Sequence, residues 1–188
     1  ETGTNAAIYS APLPINQTTT LRARAYAPGH LPSSVTTETY LFDAPHDFPV
    51  VALSFKEADF FDSLTGIYPN YIEDWKAPVH AAFFETDGMS GFSQDATAEV
   101  SGTGSAQFAQ KSLKLKALAN NGSGFFQHPI FPDQPFEEYK SLVLRNGGQD
   151  WNTTMFRDVF VQSLASDLTD LHGIIEPPKL YLQAFRPG

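Results

Sequence analysis

Apolar and polar residues alternate along positions 112 to 117 of the chain. Successive side chains of a β-strand point to opposite faces, so this pattern predicts a strand with one buried face. The two faces would carry Leu113, Leu115 and Ala117 on one side and Ser112, Lys114 and Lys116 on the other. Lys111 belongs to the apolar face, where burial of an ammonium is costly unless an anion meets it.

A glycine-rich segment, Gly102-Thr-Gly-Ser105, precedes this strand and predicts a turn. Gly102, Gly104 and Ser105 could direct backbone N–H groups toward the same anion as Lys111, as the backbone of phosphate-binding loops does. The simplest anion of this kind is a phosphate. The alternative is a lysine at the rim of an edge strand, whose ammonium reaches solvent along its aliphatic stem.

Further apolar and alternating runs predict an α+β fold around this strand. The other predicted strands cover residues 20–26, 35–42, 50–55, 79–84, 97–100, 140–146 and 179–185. A short helix is predicted over residues 56–64, and a long helix from Phe156 to Leu171 begins after an N-cap at Asn152 or Thr153. The aromatic loop 119–139 is expected to be packed rather than disordered.

A proline-punctuated segment between Asp43 and Pro49 predicts the main domain boundary. The expected organisation is a partial β-sandwich module at residues 1–43, a linker at 44–49 and a second domain at 50–188. Two or three strands cannot bury a core alone, so the first part is expected to be a β-sandwich remnant. The chain begins without a methionine or a signal peptide, and it is expected to be an excised or mature piece.

The composition narrows the possible partners. The chain has 21 acidic and 12 basic residues, a balance that argues against a nucleic-acid partner bound through a broad basic surface. It has no cysteine, so disulfides and thiolate metal sites are excluded. No apolar run approaches the length of a membrane span, and the five histidines show no metal-ligand spacing, so neither a span nor a metal ligand is predicted.

Two polar residues outside the glycine turn are candidates for a site. Arg145 alternates away from the apolar residues of its strand, close to Gly147 and Gly148, and strand ends of this kind often contact ligands. Asp158 lies off the apolar stripe of the long predicted helix and is a candidate catalytic residue. The alternatives are an ion-paired surface arginine and a solvated helical aspartate.

Four short segments near the N-terminus recur in one known family. They are Ile8-Tyr-Ser-Ala-Pro12, Thr19-Thr-Leu-Arg-Ala-Arg-Ala25, Ala27-Pro-Gly29 and Pro32-Ser33. In this order they resemble the C-terminal part of the chitobiase/β-hexosaminidase C-terminal β-module. The usual opening strand and Asp-Gly turn of that module are missing here, which agrees with a remnant.

A second set of segments extends over residues 48–182. It comprises Phe48-Pro-Val-Val-Ala-Leu-Ser54, Thr65-Gly-Ile-Tyr68, Trp75-Lys-Ala-Pro-Val79, Phe83-Phe-Glu-Thr-Asp-Gly88, Gly91-Phe-Ser-Gln94, Gln110-Lys-Ser-Leu-Lys-Leu115, Lys140-Ser-Leu-Val-Leu-Arg-Asn146, Asp150 and Phe156-Arg-Asp158. Their order and spacing together resemble the N-terminal part of the CotH kinase (spore-coat protein H) family. The fold that this implies is a kinase-like, mainly antiparallel sheet lobe with one long helix.

The CotH resemblance implies specific roles. Lys111 would contact the phosphates of ATP under the glycine turn, and Arg145, Asn146 and Asp158 would organise the site. It also implies Mg or Mn, a secreted or cell-surface location, and phosphate transfer to Ser or Thr of a secreted or coat protein.

The sequence departs from the CotH pattern at several positions. Ala106 and Ala109 stand where the family commonly carries arginine and proline. Residues 183–188 replace its Asn-Gly-x-Tyr-Trp-Gly continuation. The family's later acidic residues, which would supply the base and hold metal, are missing, so the chain alone is expected to be inactive.

A second hypothesis belongs to a different functional class. The chain would be a non-catalytic extracellular module that binds carbohydrate or a surface partner, with the kinase resemblance kept only as a scaffold. The aromatic loop 119–139 favours this hypothesis, and binding of a polysaccharide that is lost on replacing Phe125 and Phe126 would support it.

Overall fold

The computed structural model of the chain is divided into two compact units. The first unit comprises residues 1–54 and 80–93, and the second comprises residues 55–79 and 94–188. The expected domain boundaries at residues 43 and 50 stay a prediction. The residues that the structure describes are 6–42, 45–119, 123–132, 135–150, 152–157, 160–161, 164 and 180–181.

Most of the described secondary structure is β-strand, with one short α-helix and two short 3-10 helices. The strands are β1 (Thr19–Ala23), β2 (Thr36–Tyr40), β3 (Val50–Ser54), β4 (Lys76–Phe84), β5 (Ser90–Ser101), β6 (Ser112–Ala117), β7 (Phe126–Gln127), β8 (Glu138–Tyr139), β9 (Ser141–Arg145) and β10 (Leu180–Tyr181). The helix α1 covers Glu57–Phe61, and the 3-10 helices cover Gly104–Gln107 and Gly148–Asp150. The predicted α+β class with a mainly antiparallel sheet is confirmed.

The first unit contains two antiparallel strand pairs. Strand β1 pairs with β2, and β3 pairs with β4 from Val50 opposite Phe84 to Ser54 opposite His80. The Phe83 and Phe92 rings stack with centroids 5.7 Å apart, and both side chains are buried. The β1 and β2 pair is the small β-rich element that the sequence predicted near the N-terminus.

In the second unit, the strands follow the order β10, β9, β6, β5. Strand β6 is antiparallel to both β5 and β9, whereas β10 is parallel to β9. Leu113 lies opposite Leu144, and Leu115 lies opposite Leu142. All four leucines are buried, so the apolar face predicted for this strand is confirmed.

Helix α1 leads into an aromatic cluster in the second unit. The Phe60 side chain is fully buried and stacks on Phe55 with ring centroids 3.8 Å apart. The predicted helix over 56–64 is wrong at its C-terminal end, because the Asp62 carboxylate accepts hydrogen bonds from the N–H groups of Leu64 and Thr65. These bonds turn the chain after Phe61 instead of continuing the helix.

The loop that follows β6 is packed in its described parts, as predicted. Strands β7 and β8 pair antiparallel, the Phe126 side chain is fully buried, and Phe131 meets Tyr139 edge to face. Packed aromatic rings of this kind stabilise the described parts of this connection.

Most of the long helix predicted from Phe156 to Leu171 falls outside the described residues. The described positions Arg157, Phe160, Val161 and Leu164 are helical. The predicted N-caps are wrong, because Asn152 and Thr153 lie in a turn before the first helical residue. No helix within the described ranges is long and apolar enough to cross a membrane.

Candidate functional site around Lys111

Lys111 lies immediately before β6, and its side chain is 7% exposed. The ammonium donates hydrogen bonds to the main-chain carbonyl oxygen atoms of Ala106 and Phe108, the second at 3.2 Å. Both carbonyls belong to residues 102–110, which we call the glycine turn. The predicted burial of Lys111 is therefore confirmed, and in the structure peptide carbonyls are its hydrogen-bond partners.

Two tyrosine rings also approach the Lys111 ammonium. Its Nζ atom lies 4.2 Å from the centroid of the Tyr71 ring and 5.8 Å from that of Tyr68. Both distances are within the range of cation–π attraction, which grows when the cation is desolvated. The tyrosines come from the segment after α1, so the sequence pattern around Lys111 contains no sign of them.

Burial shifts the pKa values of this group of side chains. Desolvation lowers the pKa of Lys111, because removing water disfavours its charged form. Desolvation also raises the pKa of the Tyr68 hydroxyl, and the main-chain N–H of Lys111 acts in the opposite direction. Within the described part of the chain, no carboxylate forms an ion pair with Lys111.

The glycine turn combines an exposed beginning with a buried middle. Gly102, Thr103 and Gly104 are exposed, whereas Ala106 is 2% exposed. Gly102 has φ of +104°, and a Cβ atom there would lie 2.7 Å from Ser105 Oγ. Glycine is therefore required at this position by both the backbone angle and the close approach.

Asn146 connects the glycine turn to the end of β9. Its side chain is fully buried, and its Nδ2 donates to the carbonyl oxygens of Gln110 at 2.6 Å and Ser105 at 3.4 Å. Its Oδ1 accepts from Ser112 Oγ at 2.9 Å and from Gly148 N at 3.0 Å. One side chain thus joins the glycine turn and the start of β6 to the turn that follows β9.

Arg145 is half-buried at the end of β9, beside the double glycine. A Cβ atom on Gly148, which has φ of +59°, would lie 3.1 Å from Arg145 Nη2. A Cβ atom on Gly104 would lie 3.5 Å from Gln149 Nε2. The two glycine-containing turns therefore lie next to each other, with the arginine at their side.

The structure brings most of the predicted site residues into one region. Ser105, Lys111 and Asn146 are linked through the hydrogen bonds of the glycine turn, and Gly102, Gly104 and Arg145 flank them. Asp158, the candidate catalytic residue, lies outside the described residues. The roles of all these residues in ligand binding stay predictions.

Asp150 was not chosen as a site residue from the sequence, yet it organises the segment that follows. Its carboxylate is 4% exposed and accepts hydrogen bonds from the hydroxyls of Thr153 and Thr154 and from Arg157 N at 3.1 Å. Arg157 Nη2 lies 2.9 Å from its Oδ1 atom. These contacts, led by the two threonine hydroxyls, hold the Asp150 pKa far below its ordinary value.

A sequence signal for Asp150 does exist. An aspartate followed by threonines three and four positions later is typical of local side-chain capping, in which short polar side chains bond to one another and to nearby N–H groups. With all of these contacts in place, the Asp150 carboxylate stabilises the chain ahead of Arg157.

Two further expectations concern other ligands. Among the residues that can be described, no group of three His, Asp or Glu side chains could hold a metal ion. The Phe126 ring, named as a carbohydrate contact, is fully buried and therefore unavailable to a sugar in this conformation. Phe125 is half-buried.

The structure thus combines a mainly antiparallel sheet with a glycine turn and a buried lysine that directly precedes β6. Residues 98–187, which include the glycine turn, Lys111 and the end of β9, match the family model described as CotH kinase protein. The match begins later than the expected resemblance over 48–182 and supports kinase-like character for this part of the chain.

The N-terminal segment matches a different family. Residues 2–40 match the model described as Fn3 associated, so the expected chitobiase-like module is not confirmed by name. No curated protein and no solved structure is significantly similar to the chain.

Proposed function

We propose that residues 98–187 form part of a kinase-like lobe that binds ATP, with Lys111 as the contact for its phosphates. In a longer form, the protein would transfer a phosphoryl group from ATP to Ser or Thr of a protein substrate. The observation that carries this proposal is the burial of Lys111, without a carboxylate partner among the described residues, beneath a glycine turn in the CotH-matching region.

The positive charge of Lys111 and its buried surroundings favour the binding of an anion. A buried ammonium that is held only by neutral partners keeps a net positive charge in a region of low dielectric, where attraction to an anion is strong. A phosphate oxygen would form a charge-assisted hydrogen bond, which is about twice as strong as a neutral one. Phosphate binding would therefore compete with the bonds that Lys111 now donates to Ala106 and Phe108.

The residues around Lys111 lie where they would contact a bound nucleotide. The exposed backbone of Gly102, Thr103 and Gly104 would cover the phosphates, and Arg145 would add a second positive charge from the end of β9. When bound, ATP would supply the transferable phosphoryl group, together with Mg or Mn as the resemblance implies. Asp158 remains the proposed catalytic candidate.

A secreted or cell-surface location and a secreted or coat-protein substrate belong to the same proposal, as does inactivity of the chain on its own. These parts of the proposal rest on the CotH resemblance, and the matching family model is itself described as a kinase protein. The carbohydrate-binding alternative has weaker support, because the ring of Phe126 is buried.

The test is a thermal-shift titration of the 188-residue chain with ATP and Mg or Mn. A ligand that binds only the folded state raises the unfolding temperature with its concentration. We expect an ATP-dependent rise for the wild type and for Lys116→Ala, which removes an exposed lysine from the same strand, and no rise for Lys111→Met. Absence of a rise in the wild type, or its persistence in Lys111→Met, would overturn the proposal.

A second measurement tests the expected inactivity. The chain is incubated with labelled ATP, the metal ion and a Ser-rich acceptor. We expect little or no labelled acceptor. Robust transfer that disappears in Lys111→Ala would show that the chain is already a complete kinase.

A further inference from the structure

Asn146 was expected to contact the nucleotide, but its side chain has no hydrogen-bonding capacity left for a ligand. An asparagine amide offers two donor hydrogens and two acceptor lone pairs. Ser105 and Gln110 accept from the nitrogen, while Ser112 and Gly148 donate to the oxygen. The side chain is also fully buried, so it has no surface at which a nucleotide could bind.

Ser112 completes this arrangement as a reciprocal partner. Its hydroxyl donates to Asn146 Oδ1 and accepts from the main-chain N–H of Asn146 at 3.1 Å. The hydroxyl belongs to a residue that is only 3% exposed. Two buried polar side chains on neighbouring strands therefore satisfy each other and fix the start of β6 to the end of β9.

The same bonds connect Asn146 to the position of Lys111. Asn146 contacts the glycine turn through Ser105 and Gln110, and Lys111 contacts the same turn through Ala106 and Phe108. The turn is thus attached to the sheet by an amide from β9 and by the lysine that precedes β6. Movement of the turn away from Asn146 would also displace the carbonyl partners of Lys111.

We infer that Asn146, supported by Ser112, is a positioning residue that fixes the glycine turn and thereby the Lys111 ammonium. This inference rests on the proposed function only where it concerns ATP. Asn146 acts through Lys111 and the turn, and it does not touch the nucleotide.

The test compares Asn146→Asp with a matched control in the same unit. Asn146→Asp keeps the shape of the side chain but replaces its NH₂ donor by an oxygen that faces two carbonyls. Asn70→Asp is the control, since Asn70 Nδ2 also donates to two main-chain carbonyls, those of Ser63 and Gly66. Ser112→Ala is a milder second variant, which retains the Asn146 amide.

Amide hydrogen exchange and acylation of Lys111 are measured without nucleotide. For Asn146→Asp we expect amide exchange within residues 102–110 to be about tenfold faster, because the loss of about one hydrogen bond makes local opening of the turn easier by that factor. We also expect faster acylation of Lys111. Asn70→Asp is expected to leave exchange within residues 102–110 at the wild-type rate. Ser112→Ala should give a smaller increase in exchange at the same residues. If Asn146→Asp does not fold, the exchange rates of Ser112→Ala test the inference instead.

Two results would overturn the inference. One is an amide exchange rate in the glycine turn of both Asn146→Asp and Ser112→Ala that equals the wild-type rate. The other is a uniform increase along the whole chain, which would indicate only a general loss of stability. Titration with ATP then separates this inference from the proposed function. If the wild type fails to bind ATP, the proposed function is wrong, while the exchange and acylation results still decide the role of Asn146.

Discussion

The Lys111 ammonium lies 4.2 Å from the centroid of the Tyr71 ring, on the segment that follows helix α1. Tyr71 is half-buried, so its ring screens the lysine from solvent while remaining at the surface itself. A cation over an aromatic face at a partly desolvated site gains about 0.5 to 2 kcal/mol. Tyr71 therefore both stabilises the charged lysine and restricts access to it.

Replacement of Tyr71 by alanine is expected to expose Lys111. We expect Tyr71→Ala to lower the free energy of unfolding by about 1 kcal/mol, from the lost cation–π contact, and to speed acylation of Lys111. Mass spectrometry of the peptide that contains Lys111 measures the acylation rate. Tyr71→Phe keeps the ring and should react like the wild type. Equal acylation rates in Tyr71→Ala and Tyr71→Phe would show that the ring does not cover the lysine.

The Asp150 carboxylate gives the protein a pH-dependent contribution to stability. Because its pKa is lowered in the folded state, the unfolded state binds the proton more tightly. The contribution is fully present above the ordinary aspartate pKa of about 3.9 and is lost as the pH falls from there through the lowered pKa. We therefore expect Asp150→Asn to be destabilised at pH 7 and to approach the wild type in acid.

Thermal unfolding of both proteins between neutral pH and about pH 3, where the loss of this contribution has begun, measures this difference. Thr153→Val, which removes one of the two hydroxyl donors to Asp150, should show an intermediate pH dependence. If the difference between wild type and Asp150→Asn stayed constant across this range, the carboxylate contacts would not contribute as the structure indicates.

The sequence predicted strand β6, which begins directly after Lys111, because the relevant pattern is local. Alternation of side chains along β6 depends only on neighbouring residues, and it placed Lys111 on the buried side. The partners of its ammonium could not be predicted in the same way. Tyr71 comes from a distant segment, and the carbonyls of Ala106 and Phe108 carry no side-chain signal.

Other parts of the structure depend on contacts that no short pattern records. Strand β5 begins at Ser90, whereas the predicted strand began at Thr97, since Gly91 and several polar residues obscure the alternation. The role of Asn146 follows from four bonds, three of which reach residues 105–112 from the end of β9. Such a role becomes visible only when β6 and β9 are paired in the correct register.

The Glu99 carboxylate lies between two lysines on the solvent-facing side of the second unit. It forms ion pairs with Lys114 at 3.1 Å and with Lys76 at 3.5 Å, and both lysine side chains are substantially exposed. Exposed pairs contribute little, so we expect Glu99→Gln to cost about 0.5 to 1 kcal/mol at low salt and less at high salt. Denaturant unfolding at two salt concentrations measures this, and a cost that does not fall with salt would contradict the electrostatic explanation.

Gly66 occupies the tightest backbone position in the segment that leads to Tyr71. A Cβ atom there would lie 2.6 Å from the main-chain N and O atoms of Asp62 and 2.7 Å from the carbonyl oxygen of Phe60. These neighbours are backbone atoms that cannot move aside without disturbing α1. We expect Gly66→Ala to cost about 1 to 3 kcal/mol, the usual range for overpacking, and to speed acylation of Lys111 by shifting the tyrosines.

Gly104→Ala is the matched control for Gly66→Ala. The added Cβ atom would lie 3.5 Å from Gln149 Nε2, an ordinary contact with the end of a flexible side chain. We therefore expect its unfolding temperature to stay close to that of the wild type, while Gly66→Ala falls by several degrees. A comparable fall in unfolding temperature in the two variants would mean that close backbone packing at Gly66 does not fix the position of this segment. The placement of Tyr68 and Tyr71 over Lys111 would then need another explanation.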